Sequence, residues 1–177
     1  MDDREGKLHI RVYPAAENDV PQLLRLIRGL AEYERMSHKV VATVEGLRSA
    51  LFGVRPVAEA LLARAADDAV GFAVFFPTFS TFAGRPNLYL EDLYVEPQWR
   101  RRGVGRRLLT HVAHIAMQRG CGQLAWSVLG WNEPALDFYH RLGAEPVDEW
   151  VSYKLAGAAF HRLGVTGDPE SGTADQA

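Results

Sequence analysis

Apolar and polar positions alternate over residues 8–13, a period of two that predicts a strand, and the period then lengthens. Leu23, Leu24, Ile27, Leu30 and Ala31 recur on one helical face, with Asn18 and Asp19 ahead of them for capping and an end near Glu34. Thr43 caps a second, short helix through Leu51, which Gly53 and Pro56 close. Residues 59–64 and 70–76 read as two strands folded into a hairpin around Asp67 and Asp68. The next strand covers residues 88–95. Beyond Gly103, the positions Leu108, Leu109, Val112, Ile115 and Ala116 describe an amphipathic helix of about four turns that stops at Gly120. Residues 124–129 read as a strand. Asn132 is placed as an N-cap with Pro134 in the first turn, Leu136, Tyr139 and Leu142 share a face, and Gly143 ends that helix. Residues 151–155 return as a last strand.

The order of strands and helices is that of an α/β (α+β) chain with a mixed sheet, without repeats or an internal linker. A chain of 177 residues, 47% of them hydrophobic, buries a core without metal or disulfide support. This places one domain over residues 1–163. From Gly164 the chain turns to Gly, Pro, Ser, Thr, Asp and Glu, so residues 164–177 are expected to be a disordered tail. The formal charge of −2 gives no reason to expect nucleic acid or an anionic membrane as a partner. Cys121 is the single cysteine, compatible with a reducing compartment, and no signal-like or membrane-spanning apolar run is seen, which points to the cytoplasm.

The most informative passage is the strand ending Glu91-Asp92-Leu93-Tyr94-Val95, followed by Arg100-Arg101-Arg102-Gly103-Val104-Gly105-Arg106 and a helix. Glycines let backbone N–H groups converge on a phosphate, the first amides of the helix are open, and the arginines add charge. The spacing lacks the Gly-Lys-Ser/Thr ending of a nucleotide P-loop and the longer dinucleotide fingerprint. Taken alone, it also fits a solvated basic turn ahead of a surface helix. Its context suggests group transfer from a phosphorylated carrier.

With Leu30-Ala-Glu-Tyr33-Glu34, Tyr89-Leu-Glu91-Asp92, the Arg100 to Gly105 turn, Trp131-Asn132-Glu133-Pro134 and Phe138-Tyr139 running into Leu142-Gly143-Ala144, the chain resembles the GNAT superfamily of acetyl-CoA-dependent N-acetyltransferases. Within it, the chain is similar to the diamine (spermidine/spermine) and thialysine acetyltransferases. The resemblance implies a mostly antiparallel sheet with splayed middle strands, acetyl-CoA as co-substrate and a homodimer. It implies cofactor contacts from residues 93–95, 100–106 and Asn132, Glu133, Pro134 and Ala135. Amine contacts are implied for Tyr33, Glu34, Glu91 and Asp92, with Trp126 near the substrate wall. No metal is implied.

An aliphatic ammonium, with an ordinary pKa of about 10, cannot attack a thioester until it loses a proton, so such a site needs a base, direct or through water. Backbone amides stabilise the oxyanion and an acid assists the departing thiolate. Glu91 is the candidate base, Tyr139 the candidate acid, and the backbone of Leu93, Tyr94 and Val95 the candidate for thioester and pantetheine contacts. Glu91 and Asp92 are neighbours in an apolar strand. They mark either an exposed edge or a bulge beside a site. On a helix face with Leu136 and Leu142, Tyr139 also fits a core tyrosine; the resemblance favours catalysis.

His111 and His114 lie three apart on a helix but lack a third metal ligand at suitable spacing. The polyamine enzymes carry an aspartate in the loop where this chain has Ser80-Thr81-Phe82, a pattern closer to the thialysine type. The expected reaction is acetyl transfer to a small primary amine by direct attack in a ternary complex, with thialysine-like amino acids favoured over polyamines. A protein-lysine or N-terminal acetyltransferase and a non-catalytic acyl-CoA sensor are the alternatives. Asp148 and Glu149 are weaker candidates for the far end of a cationic substrate.

Overall fold

A computed structural model describes residues 9–147 and 151–166, which fall into two compact units, one ending at Ser127 and one beginning at Val128. The first unit holds β1 (Ile10–Pro14), α1 (Val20–Tyr33), α2 (Val44–Phe52), β2 (Glu59–Ala65), β3 (Asp68–Ser80), β4 (Arg85–Val95), α3 (Val104–Gln118) and β5 (Leu124–Trp126). The sheet order is β1-β2-β3-β4-β5, antiparallel except for the parallel β4–β5 pair. The α/β class expected from the pattern and the mostly antiparallel sheet implied by the resemblance are therefore observed.

The helices form where their apolar spacing demanded, and they pack on opposite faces of the sheet. On α1, Leu23 and Leu26 are buried with Leu51, Leu62, Phe72 and Tyr94 in one cluster. Burying a side chain of this size contributes roughly 1.5–3 kcal/mol. On the other face, α3 buries Val104, Leu108, Leu109, Val112 and Ala116. The α2 start is secured by Thr43, whose hydroxyl accepts the Gly46 N–H at 3.0 Å. Asp19 does not cap α1; its carboxylate accepts the Ala16 N–H at 2.9 Å and pairs with Arg64.

Gly71 on β3 faces α3, and a Cβ added there would meet the Tyr94 carbonyl oxygen at 2.8 Å and Leu108 Cδ1 at 3.4 Å. Gly71→Ala is expected to lower stability by about 1–3 kcal/mol, because cross-strand backbone has to move. Urea unfolding with the slope unchanged is the check.

Three expectations need correction. β5 ends at Trp126 rather than continuing to residue 129, its pairing with β4 stopping at Leu90↔Trp126. Residues 151–155 lie in no strand, although Val151, Tyr153 and Leu155 alternate; all three are exposed, and alternation alone forms no ladder without a partner strand. Gly164, Val165 and Thr166 are helical, closing α5 (Gly157–Thr166), in which Ala159, Phe160 and Leu163 set a helical spacing just ahead of the point where composition turns polar. Residues 167–177 of the expected tail lie outside the described residues, as do Asp148 and Glu149. The second unit also contains α4 (Glu133–His140). Among the described residues, no helix is long and apolar enough to cross a membrane.

Candidate active site

β4 sets the geometry of the first unit through one irregularity. Its register with β3 runs Phe75↔Leu90 and then Val74↔Asp92, so Glu91 is the extra residue of a β-bulge. Glu91 is exposed, whereas Asp92 is largely buried. Opposed residues share a face, and Val74 packs toward the α1 cluster, so Asp92 faces α1. There it meets Glu34, the C-cap of α1.

Burial first, and then the negative charges of Glu91 and Glu34, push the Asp92 carboxyl up to about 6. Burial also raises Glu34. Like charges held together in a desolvated place favour a proton or a cationic guest. The end of α1 is built to hold that arrangement. Arg35 takes a left-handed φ of 60°, and the Arg35 and Met36 N–H groups donate to the Glu32 and Ala31 carbonyls at 3.0 and 2.7 Å, a Schellman closure with arginine where glycine is usual.

The bulge also changes which amides β4 turns outward. Leu88 donates its N–H toward β5, to the Gln123 carbonyl at 3.1 Å, while Glu96 donates toward β3, to Val70, at 3.0 Å. Alternation from Glu96 leaves the Leu93 and Val95 backbone groups pointing away from β3. β5 has ended by then, so among the described residues of the first unit no strand pairs with this part of the edge. Where the β4–β5 pairing ends, Tyr89 Oη and Ser127 Oγ are 2.7 Å apart.

Next along the chain comes the turn. Arg101 and Gly103 hold φ of 61° and 78°, and no side chain caps α3. Arg107 is the first residue whose N–H returns to Gly103, at 3.0 Å. The amides of Val104, Gly105 and Arg106 thus face out, where the helix dipole favours an anion. The residues present suit a pantetheine arm along the β4 edge with its pyrophosphate at the turn.

The three arginines do different things. Arg101 and Arg106 are exposed, and the Arg102 guanidinium lies 5.1 Å from the Trp99 ring. Arg100 is turned inward: Nε donates to the Val95 carbonyl at 3.0 Å, and the guanidinium lies 4.3 Å over the Tyr33 ring. Tyr94 is buried, its side chain against α1, and alternation turns its backbone groups toward β3, away from the edge that Leu93 and Val95 face.

Tyr33, Glu34, Asp92 and Tyr94 are thus brought to one face of the sheet. Trp126 is not: opposite Leu90, it shares the face of Phe75. Ser80 ends β3, and Thr81 and Phe82 sit in the turn that follows, roughly 20 Å along β4 from Asp92, too far to touch a small amine there within one chain. His111 Nδ1 lies 2.8 Å from the Arg107 carbonyl oxygen, a local helix contact. A polar hollow of about 410 Å³ bounded by Gln22, Arg25, Asp67, Asp68, Glu96 and Trp99 contains neither Asp92 nor the left-handed turn residues. Arg25 within it already bonds Glu96 and the Ala69 carbonyl.

In the second unit, Asn132 stands at the N-cap of α4 without a side-chain capping bond, while its carbonyl accepts the Ala135 and Leu136 N–H groups at 3.0 Å. Glu133 and Pro134 open the helix. Tyr139 lies in its last turn, beside Phe138, and burial pushes its phenol up to about 12.

Residues 27–144 match the Acetyltransferase (GNAT) family. The chain belongs to that family. It is 38% identical to the thialysine N-ε-acetyltransferase of Mus musculus over 86% of this chain and 96% of that one. It is 30% identical to the L-ornithine N5-acetyltransferase NATA1 of Arabidopsis thaliana over 89% of each. Among solved structures, an integron cassette protein from the mobile metagenome of V. cholerae superposes with a TM-score of 0.75 at 24% identity, covering 90% of this chain and 99% of that one. An aminoglycoside N-acetyltransferase in complex with CoA does so at 0.69 and 18%, covering 85% and 97%. The protein is an acyltransferase of the GNAT type.

Two features escaped the sequence reading. Tyr89 was part of the strand motif without a role, yet its hydroxyl bonds that of Ser127 where the β4–β5 pairing ends. The inward turn of Arg100 has no signature beyond its charge. Tyr89's place on the Asp92 face was hidden because the bulge shifts the odd-even count between them.

Proposed function

We propose that the protein transfers an acetyl group from acetyl-CoA to the primary amine of a small cationic substrate, by direct attack in a ternary complex. The observation that carries this reading is the acidic group of Asp92, Glu34 and Glu91 at a bulge that abuts an open strand edge and an anion-binding turn. A cation is the guest such carboxylates favour. The identity to thialysine and ornithine acetyltransferases supports an amino acid bearing an ω-amino group as that guest.

In this mechanism the Leu93 and Val95 edge aligns the pantetheine arm and the amides of Val104, Gly105 and Arg106 receive the pyrophosphate, with Arg101 adding charge. Asn132 to Ala135 add further cofactor contacts. Glu34 and Asp92 bind the cation, with Tyr33 beside them, and Glu91 takes the ammonium proton, directly or through water. The amine nitrogen then bonds to the acetyl carbon, the carbon–sulfur bond breaks, and Tyr139 donates to the departing sulfur. We further propose a cytoplasmic homodimer, which size-exclusion chromatography with light scattering checks.

The experiment is thiol release from acetyl-CoA over a panel of thialysine, ornithine, lysine, putrescine, spermidine and a lysine peptide. The ω-amino amino acids are expected to exceed spermidine by at least about tenfold in kcat/KM. Preference for the peptide would favour a protein acetyltransferase. Tight CoA binding with no thiol released from any amine would leave only a sensor.

A further inference from the structure

We propose that Arg100 is a positioning residue for the amine pocket, clasping the end of α1 to the open edge of β4, instead of a phosphate anchor. The inference rests on the acetyl-transfer reading for what the pocket binds, and on geometry alone for the clasp.

The two ends of the Arg100 side chain are both engaged. Its Nε–H donates to the Val95 carbonyl, which alternation aims out of the open edge, at 3.0 Å. Its guanidinium face lies 4.3 Å over the Tyr33 ring and 5.8 Å from the Tyr94 ring, both within cation–π range. Tyr94 cannot retreat: its hydroxyl would meet a Cβ on Gly29 at 2.9 Å, so the ring already lies against the α1 backbone. Phe72 stands behind it, with ring centroids 6.2 Å apart.

Only a planar guanidinium can donate from Nε along one edge while stacking on an aromatic face; a lysine ammonium offers one point charge. What the clasp holds is the last turn of α1. Tyr33 is followed directly by Glu34, whose carboxylate raises Asp92, so fixing the Tyr33 ring fixes the spacing of the two carboxylates. The anion is left to groups that face outward: the exposed, left-handed Arg101 and the first amides of α3. Arg100 thus joins the two halves of the reaction, one arm on the cofactor edge and one on the amine end.

The test compares Arg100→Ala, Arg100→Lys and Arg101→Ala by two-substrate kinetics, calorimetric CoA binding without amine, and hydrogen exchange at the Glu34 and Met36 amides. Arg100→Ala is expected to raise the amine KM by about tenfold or more, with the CoA Kd within about threefold of wild type. Exchange at the two amides should quicken by about tenfold. Arg100→Lys should behave like the alanine variant, and Arg101→Ala should weaken CoA instead.

A CoA Kd weakened by about tenfold in Arg100→Ala with the amine KM unchanged, or a lysine variant with the wild-type amine KM, overturns the clasp. If wild-type protein acetylates no amine, that failure belongs to the acetyl-transfer reading. The exchange measurement then decides the clasp alone, and unchanged protection at Glu34 and Met36 ends it.

Discussion

Tyr139→Phe is expected to lower turnover by well over about tenfold while acetyl-CoA affinity stays near wild type, since a lost transition-state contact appears in kcat and kcat/KM and not in ground-state binding. Burial pushes the phenol up to about 12, so it remains protonated throughout the working range. A free thiol ionises near about 8.5, which makes complete proton transfer from such a phenol to sulfur uphill. In the proposed mechanism the hydroxyl therefore serves as a hydrogen-bond donor to sulfur while negative charge builds there, and phenylalanine removes that donor without changing the ring. The measurement is steady-state turnover at saturating amine, beside calorimetric CoA binding. Because the phenol titrates so high, the pH profile of kcat below about pH 10 should keep its shape in both proteins apart from amplitude. Wild-type turnover in the variant would remove Tyr139 from the chemistry.

The Asp92→Asn variant should show the opposite sign in stability and in function. A carboxyl raised from 3.8 to about 6 on folding binds more protons folded than unfolded between those values, so wild-type stability falls as pH rises through that window. Above about pH 7 the charged form is fully penalised, by about 1–3 kcal/mol. Asparagine does not titrate and keeps the shape of the side chain. The variant is expected to melt higher at pH 8, by roughly 2–4 °C for each kcal/mol recovered in a chain of this size. Below about pH 4 the advantage should vanish, because both states of the wild type are then protonated.

Function is expected to move the other way, since in the proposed site the destabilised carboxylate is what a cationic amine neutralises. Amine affinity should fall by about tenfold or more, so a fixed amine concentration well above the wild-type Kd should stabilise the variant by at least about 1.4 kcal/mol less than wild type. Melting curves at pH 4 and pH 8, with and without amine, give all of this in one set. A variant less stable than wild type at pH 8 would contradict strained burial of Asp92.

The helix boundaries were legible because short-range rules govern them. Gly120 stops α3 in a left-handed conformation as the glycine at that place suggested, and Thr43 caps α2 through its hydroxyl. The end of α1 near Glu34 was also readable, but its cause was not: Arg35 occupies the left-handed position, and nothing about arginine announces that. Strand ends were less legible. β5 stops at Trp126 although apolar residues continue, since a strand lasts only as long as a neighbour pairs with it.

By itself, the order of residues determined the α/β class, the strand leading into a glycine-bearing turn and helix, and the acidic pair at 91 and 92, because periodicity, turn residues and adjacent charges are local properties. Only the tertiary structure decided which carboxylate is desolvated, that Glu34 stands across from Asp92, that Trp126 lies on the other face, and that Arg100 turns inward onto Tyr33. Those depend on a one-residue bulge that exchanges the outward amides and faces of β4, and on the packing of α1 over it. Both are consequences of pairing between segments far apart in the chain, where no local rule reaches.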